Sequence, residues 1–309
     1  MSSLLEIRDA LRDFYSRHEI YLLPFLKFCL AFLTLFVINM NLGMASRVGN
    51  MVLVLLVSLM CACLPVNLLV VIAMIFTIIH FYEISLECAI AGGAVFLLMF
   101  LLYYRFSPKD ALVVLLMPLF FGIKIPYVVP IVVGLLCPVT GAVSVACGVI
   151  SYYVIIYMRD NRAIIGSVEA DNIVARFRYI IDGLMGNKGV LVVLVAFCAA
   201  TLMVWVLRRL SINYAWTIAI FAGGVLMVAI LMMGGLSYDT GLSMTAIIVG
   251  SLISLLLAKV VQFFAFNVDY SRTEQVQFED DEYYYYVKAI PKNTVSKSKR
   301  AVKKITSVI

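Results

Sequence analysis

Ionisable residues are rare inside the apolar stretches of this chain, and three of them stand close together. His80, Glu83 and Glu87 are spaced three and four apart, so one continuous helix would set them on a common face. Clustered carboxylates raise each other's proton affinity, so such a trio could take up protons or a cation. The plainer reading, which the neighbours Phe81 and Tyr82 favour, ends a helix at the membrane interface, where aromatic rings collect. Asn67 beside Pro65 and Lys124 beside Pro126 hold matching places in two apolar stretches that are each broken by a proline. If each stretch folds back as a hairpin, the two tips approach mid-depth together. Asn67 would then donate and accept hydrogen bonds, and Lys124 would bring positive charge, to a small polar or anionic solute. If the prolines only kink two long spans, Lys124 snorkels or sits in a loop.

Signs of covalent catalysis are missing. The chain has two histidines, His18 and His80, and carries no HExxH, no GxSxG and no Walker-type glycine loop. An intramembrane Ser/His protease is neither excluded by spacing nor supported by anything else. The expectation is a protein that is not an enzyme and needs no cofactor. All seven cysteines lie in apolar runs, where a thiol acts as a small hydrophobe, so no disulfide framework is expected. Cys61-Ala62-Cys63 lacks further ligands, and no metal site is expected.

The elements that must position these residues are membrane helices. Of 309 residues, 64% are hydrophobic and only 14% charged, against about 45–50% and 25% in soluble domains. Leu4, Ile7, Leu11 and Phe14 form the apolar stripe of an amphipathic helix within 1–19, with no cleaved signal peptide. A first span covers Ile20 to Met40. Residues 51–82 break at Leu64 to Asn67, Leu86 to Tyr104 is a full span, 111–137 break at Gly122 to Pro126, and Val139 to Met158 is full again. Broken pair, full span, broken pair, full span is a repeat by architecture. Read as hairpins, the two broken pairs open on opposite sides, a device of secondary transporters.

The connector 159–188 contains a helix with Ile173, Phe177, Ile180, Ile181 and Leu184 on one face and Arg178 paired with Asp182 on the other. Ser167 is expected to cap it, and Gly183 and Gly186 to end it. Three spans follow: Val190 to Leu207, Ala215 to Met233, and Thr245 to Phe266, the last with Lys259 snorkelling. Gly92-Gly93, Gly223-Gly224 and Gly234-Gly235 could allow close helix contact. The domains are therefore 1–19, a two-repeat membrane module 20–158, the connector 159–188, a three-span module 189–266 and a tail 267–309. Arg105, Lys109, Arg208 and Arg209 put both termini in the cytoplasm by the positive-inside rule. The connector must then face outward despite Arg159, Arg162, Arg176, Arg178 and Lys188.

In the tail, Glu274 to Phe278 alternates, Glu279 to Glu282 is an acidic turn, and Tyr283 to Ile290 is β-prone. A small hairpin, or strands added to a partner's sheet, fits this pattern. Lys292, Lys297, Lys299, Arg300, Lys303 and Lys304 then suit anionic lipid headgroups, or serve solubility alone. The run from Phe266 to Pro291, with its Val268-Asp269-Tyr270-Ser271-Arg272 approach and four consecutive tyrosines, resembles the tail of a family of uncharacterised polytopic membrane proteins of Gram-positive anaerobic bacteria. Arg208 to Trp216 is similar to that group as well. The resemblance implies a bacterial plasma membrane and carries no activity.

The expected fold is an all-α integral membrane bundle with two broken, re-entrant or kinked, segments and a small cytoplasmic tail. Two functions stay open: a transporter-like protein for a small polar or anionic solute, and a non-catalytic scaffold recruiting a partner through its tail. The bilayer is the certain partner; a protein or anionic lipid at the tail and a second copy of the chain are further candidates, and nucleic acid is not.

Overall fold

The computed structural model describes residues 2–43, 45, 49–167, 173–238, 243–266 and 274–291. It divides into two compact units, Ile20–Ala265 and a smaller one of Met1–Glu19 with Phe266–Ile309. Residues 20–158 and 189–265 fall in one unit.

The larger unit is helical throughout. Helix α1 (Ser2–Leu42) leaves helical geometry at His18 and enters this unit at Ile20. It is followed by α2 (Met51–Ala62), α3 (Val66–Tyr82), α4 (Leu86–Phe106), a 3-10 turn (Pro108–Asp110), α5 (Ala111–Gly122) and α6 (Val128–Leu136). Then come α7 (Gly141–Asp160), α8 (Arg162–Ser167), α9 (Ile173–Gly186), α10 (Lys188–Leu207), α11 (Ala215–Ser237) and α12 (Met244–Ala265). Local chemistry sets the starts. The side chains of Asn50, Ser85 and Asn187 accept from Val52, Cys88 and Gly189 amides at the heads of α2, α4 and α10.

Among the described residues six helices, α1, α4, α7, α10, α11 and α12, are long and apolar enough to cross a membrane. The chain is a membrane-embedded, all-α protein. The broken segments yield shorter helices: α2 has 12 residues and α6 has 9, about 18 and 14 Å against a hydrocarbon core of about 30 Å.

Contacts fix how the pieces run. Lys27 Nζ, near the start of the α1 span, donates to Leu64 O (3.1 Å) in the α2–α3 break. At the other end of α1, Asn39 Nδ2 donates to Gly49 O (2.9 Å), and Ala45 N donates to His80 Nδ1 (3.2 Å). The first pair therefore leaves and returns at one end of the bundle, with its break near the opposite end. The second pair is inverted. A Cβ on Gly141 would stand 3.0 Å from Cys137 Cβ and 3.6 Å from Asp110 Oδ2, so the head of α5 and the foot of α6 meet beside the head of α7. Both broken segments are hairpins, open on opposite ends. Ile20 and Ala265 lie at the same end as Arg105, Lys109 and Arg208, and the connector helices α8 and α9 lie at the other.

Two buried clusters share α5 and α7. One joins them to α1–α4 and α9 through residues such as Leu35, Phe81, Tyr103 and Ile180; the other joins them to α6 and α10–α12 through Ile131, Phe197 and Met227. Phe177 and Leu184 of α9 pack on the first cluster, whereas Ile181 is exposed. Arg178 pairs with Asp182 at 3.5 Å. Ser167 is the last residue of α8, and the start of α9 at Ile173 follows residues outside those described. Val204 shows how closely α10 is held: a Cβ on Gly134 of α6 would come within 2.7 Å of it, and one on Gly223 of α11 within 2.2 Å of its Cγ2.

In the smaller unit, β1 (Glu274–Glu279) pairs antiparallel with β2 (Tyr284–Ala289), Val276 opposite Val287 and Phe278 opposite Tyr285. Asp280 makes the turn: Oδ1 accepts from the Glu282 and Tyr283 amides, and Oδ2 from Tyr285 OH at 2.7 Å. The basic run from Lys292 to Lys304 lies outside the described residues.

Packing and turn chemistry each generate a prediction. Gly134→Val should lower stability by about 1–3 kcal/mol, the usual cost of overpacking. Gly186→Val, with nothing within 4 Å of its Cβ position, should be near neutral; thermal unfolding in lipid nanodiscs compares the two. The Tyr285 hydroxyl first, and then the two amides, hold the Asp280 carboxyl below the ordinary range, while Asp280 pushes the Tyr285 phenol up. The Asp280 contribution to the hairpin is complete above the ordinary aspartate pKa and disappears as pH falls through the depressed value. The Tyr285 contribution is complete below the ordinary phenol pKa and disappears as pH rises through the raised one. Amide exchange over 274–289, corrected for intrinsic rates, should show this acid loss in the parent and not in Asp280→Asn.

Candidate functional site

The structure separates the residues expected to act together. Asn67 is the second residue of α3, half-buried, and its Oδ1 accepts from Tyr103 OH (3.3 Å) near the foot of α4. Lys124 lies in the turn between α5 and α6, exposed, in the left-handed region (φ 62), its amide donating to Phe121 O (3.0 Å). Twelve residues of α5 lift that turn about 18 Å from the end where α5 begins. The Lys124 carbonyl is 3.6 Å from the Cβ position of Gly250, in the second turn of α12 from the opposite end. The two tips therefore do not meet at mid-depth. Each hairpin runs well past the middle from its own side, which carries the tips apart.

The trio is also divided. Helix α3 stops at Tyr82 and α4 restarts behind the Ser85 cap, so no continuous helix carries His80, Glu83 and Glu87. His80 is fully buried with Nδ1 accepting from Ala45, Glu83 is exposed, and Glu87 faces Arg176 of α9 at 3.6 Å. Glu83 is the residue at which α3 ends. Among the described residues no three His, Cys, Asp or Glu side chains converge on a metal position. Cys61 is buried and Cys63 exposed, on different sides of the end of α2.

What the fold brings together is a cavity of about 60 Å³ between the hairpins, room for roughly four to six water-sized groups. Val70, Ala73 and Thr77 of α3 face Val114, Leu115 and Pro118 of α5 across it. The other walls are α1 with Thr34 and Asn41, α4 with Phe96, and α7 with Ser151 and Tyr152. The lining carries no Asp, Glu, Lys, Arg or His. Several of its polar groups are already engaged: Thr34 donates to Leu30 O, Thr77 to Ala73 O, and Asn41 donates to Val37 O while accepting from Arg159. Three hydrogen-bonding groups remain. Pro118 has no N–H, so the Val114 carbonyl loses its helical donor. The hydroxyls of Ser151 and Tyr152 make no hydrogen bond among the described residues, Tyr152 instead stacking on Phe121 at 4.1 Å between centroids.

The second hairpin is held in place from α10. Arg208 donates through Nη1 to Leu135 O and through Nη2 to Cys137 O (2.7 Å), the free carbonyls at the foot of α6. A cation at a helix C-terminus also suits the helix dipole. Beside it, Ser107 and Ser144 join α4 to α7 through a buried 2.6 Å hydrogen bond. Lys259, expected to snorkel, donates instead to Thr217 Oγ1 and Gln262 Oε1, both at 2.8 Å, and ties α12 to α11.

Sequence reasoning misses the cavity residues because Thr, Ser and Tyr within apolar runs carry no spacing signal. Pro118 inside Ala111 to Phe121 is the one visible mark. Arg208 reads in the sequence only as a marker of one membrane face.

Removing the clamp should loosen the hairpin foot. In a background whose only cysteine is Cys137, Arg208→Met should speed maleimide labelling by about tenfold or more, since two charge-assisted hydrogen bonds are lost at about 1.5–3 kcal/mol each. Arg208→Lys, which cannot bridge both carbonyls, should fall between.

No family model, no characterised protein and no solved structure matches the chain.

Proposed function

We propose that this is a transporter-like membrane protein that binds and passes a small solute, without transforming it, at the cavity between its two inverted hairpins. The observation that carries the reading is the placement of α3 and α5. One wall of the cavity comes from each hairpin, and the hairpins open on opposite ends of the bundle. A site shared by inverted elements can be exposed to either side by rocking one against the other, which is the usual logic of alternating access. Lys124 and Asn67 are not part of this site, so an anionic cargo loses its motive. The membrane in this reading is a bacterial plasma membrane. The end bearing Lys27, Arg105, Lys109, Arg208 and Arg209 is cytoplasmic by the positive-inside rule.

One observation favours a scaffold role in addition. Phe278, Tyr284, Tyr286 and Val287 of the tail hairpin are exposed, and a lone two-stranded hairpin is marginal in water. A partner strand would complete it.

Stopped-flow light scattering of reconstituted vesicles responds to permeation by any osmolyte, so a panel of small solutes can be screened directly. Vesicles holding the protein should re-swell faster than protein-free ones with at least one small osmolyte. Ala73→Phe, which fills the cavity, should reduce that excess rate by about tenfold, the scale of a 1.4 kcal/mol barrier. Lys124→Gly should leave it unchanged. Traces indistinguishable from protein-free vesicles across the panel would remove the transport reading.

A further inference from the structure

The cavity also specifies what it can hold, an inference that rests on its being the solute site. Two features matter: its chemistry and its mouth. Val70, Ala73, Thr77, Phe96, Val114 and Ser151 are buried and belong to the floor, whereas Val37, Asn41, Met74, Pro118, Leu119, Tyr152 and Ile156 are half-exposed. All of this set but Met74 of α3 comes from α1, α5 and α7, so the opening lies mainly on the side of the bundle between these helices. Its depth follows from helical rise. Pro118 is seven residues into α5, about 10 Å from one end, and Ile156 is four residues short of the end of α7, about 6 Å from the other. Between Pro118 and Ile156 the opening faces hydrocarbon and not water, and at Asn41, one residue short of the end of α1, it reaches the connector end of the bundle.

A charged solute cannot use the hydrocarbon-facing part of this entrance, because an ion in hydrocarbon costs several kcal/mol and this lining offers it no counter-charge. The nearest charge is Arg159, which is bonded to Asn41 and paired with Asp160 at 2.9 Å. An uncharged molecule fits on both counts. Its apolar part would replace lipid against Val70, Ala73 and Leu115. One or two hydrogen-bonding groups would meet the Ser151 and Tyr152 hydroxyls and the Val114 carbonyl, the last of which requires a donor. We propose that the cavity takes a small, uncharged, membrane-soluble amphiphile bearing a hydrogen-bond donor, and that it enters sideways from the bilayer.

Matched probes of one size test this on the full-length protein in lipid nanodiscs: butyramide and 1-butanol against butyrate and butylammonium, with thermal unfolding as the readout. The neutral pair should raise the unfolding midpoint of the parent, and the charged pair should not. The shift should vanish in Ala73→Phe, which also subtracts any effect of the probes on the lipid. Ile156→Trp, at the half-exposed mouth where the fold tolerates bulk, should slow association of butyramide without abolishing the endpoint shift. Stabilisation by butyrate that disappears in Lys124→Gly would overturn the proposal and move the site to the hairpin tip, leaving transport standing. No shift with any probe, or equal shifts in parent and Ala73→Phe, would also overturn it. Neutral binding with no vesicle flux would keep the ligand class and remove transport instead.

Discussion

In an apolar medium every backbone N–H and C=O must find a partner inside the protein, and this chain breaks its helices repeatedly at membrane depth. Several of the helix ends and breaks that the structure describes are met by a side chain from a different element, while the α5–α6 turn is closed by its own backbone. Arg208 of α10 takes the last carbonyls of α6, Lys27 of α1 takes Leu64 O in the α2–α3 break, Asn39 takes Gly49 O, and His80 takes the Ala45 amide. These pairings explain why a sequence with so few polar residues places them where it does. Without them, nine-residue α6 would be too short to stand alone and would end in open carbonyls. Satisfying those ends from neighbouring elements helps hold the hairpins, and the cavity between them, in place.

The same constraint divides what is legible in the sequence from what is not. Apolar run length and the positions of Pro65 and Pro126 locate the six long helices and both breaks, since proline removes a donor whatever surrounds it. The β-prone tail is equally legible, and its strands pair from Glu274 to Ala289. Height is not legible. Periodicity gives a helix's faces but not how far a hairpin penetrates, so Asn67 and Lys124 look equivalent in sequence although one is level with Tyr103 and the other with Gly250. Nor is the reversal at Glu83 to Ser85, where a Ser cap turns an apparent i, i+3, i+7 pattern into three unrelated environments.

The charge distribution has a related explanation. The connector end carries Arg159, Arg162, Arg176, Arg178 and Lys188, which strains a simple reading of orientation. Three of these arginines stand next to carboxylates: Asp160 at 2.9 Å, Glu87 at 3.6 Å and Asp182 at 3.5 Å. Arg176 with Glu87 is the informative pair, because both side chains are largely shielded and the contact joins α9 to the head of α4. Arg176 is thus part of a structural seam that holds an amphipathic helix against the bundle. Arg178 and Asp182, by contrast, are well exposed, and an exposed i, i+4 pair contributes little to stability.

Polar residues at helix breaks attract functional interpretation because charge at membrane depth needs a reason. Here the breaks supply the reason themselves. Lys27 and Arg208 are engaged with carbonyl oxygens at the breaks and helix ends, Lys259 with side-chain oxygens of α11 and α12, and Lys124 is exposed outside the cavity. In the proposed reading, what remains for a ligand is the surface the two hairpins share, which is the side of α3 facing the side of α5. Those sides must be apolar to pack against each other in a bundle, and polarity enters there only as hydroxyls or as a carbonyl released by proline. Chemistry at the interface of two inverted hairpins is therefore neutral by construction. A charged cargo would require an ionisable residue on α3 between Leu69 and Thr77, or on α5 between Ala111 and Leu119, and neither segment has one.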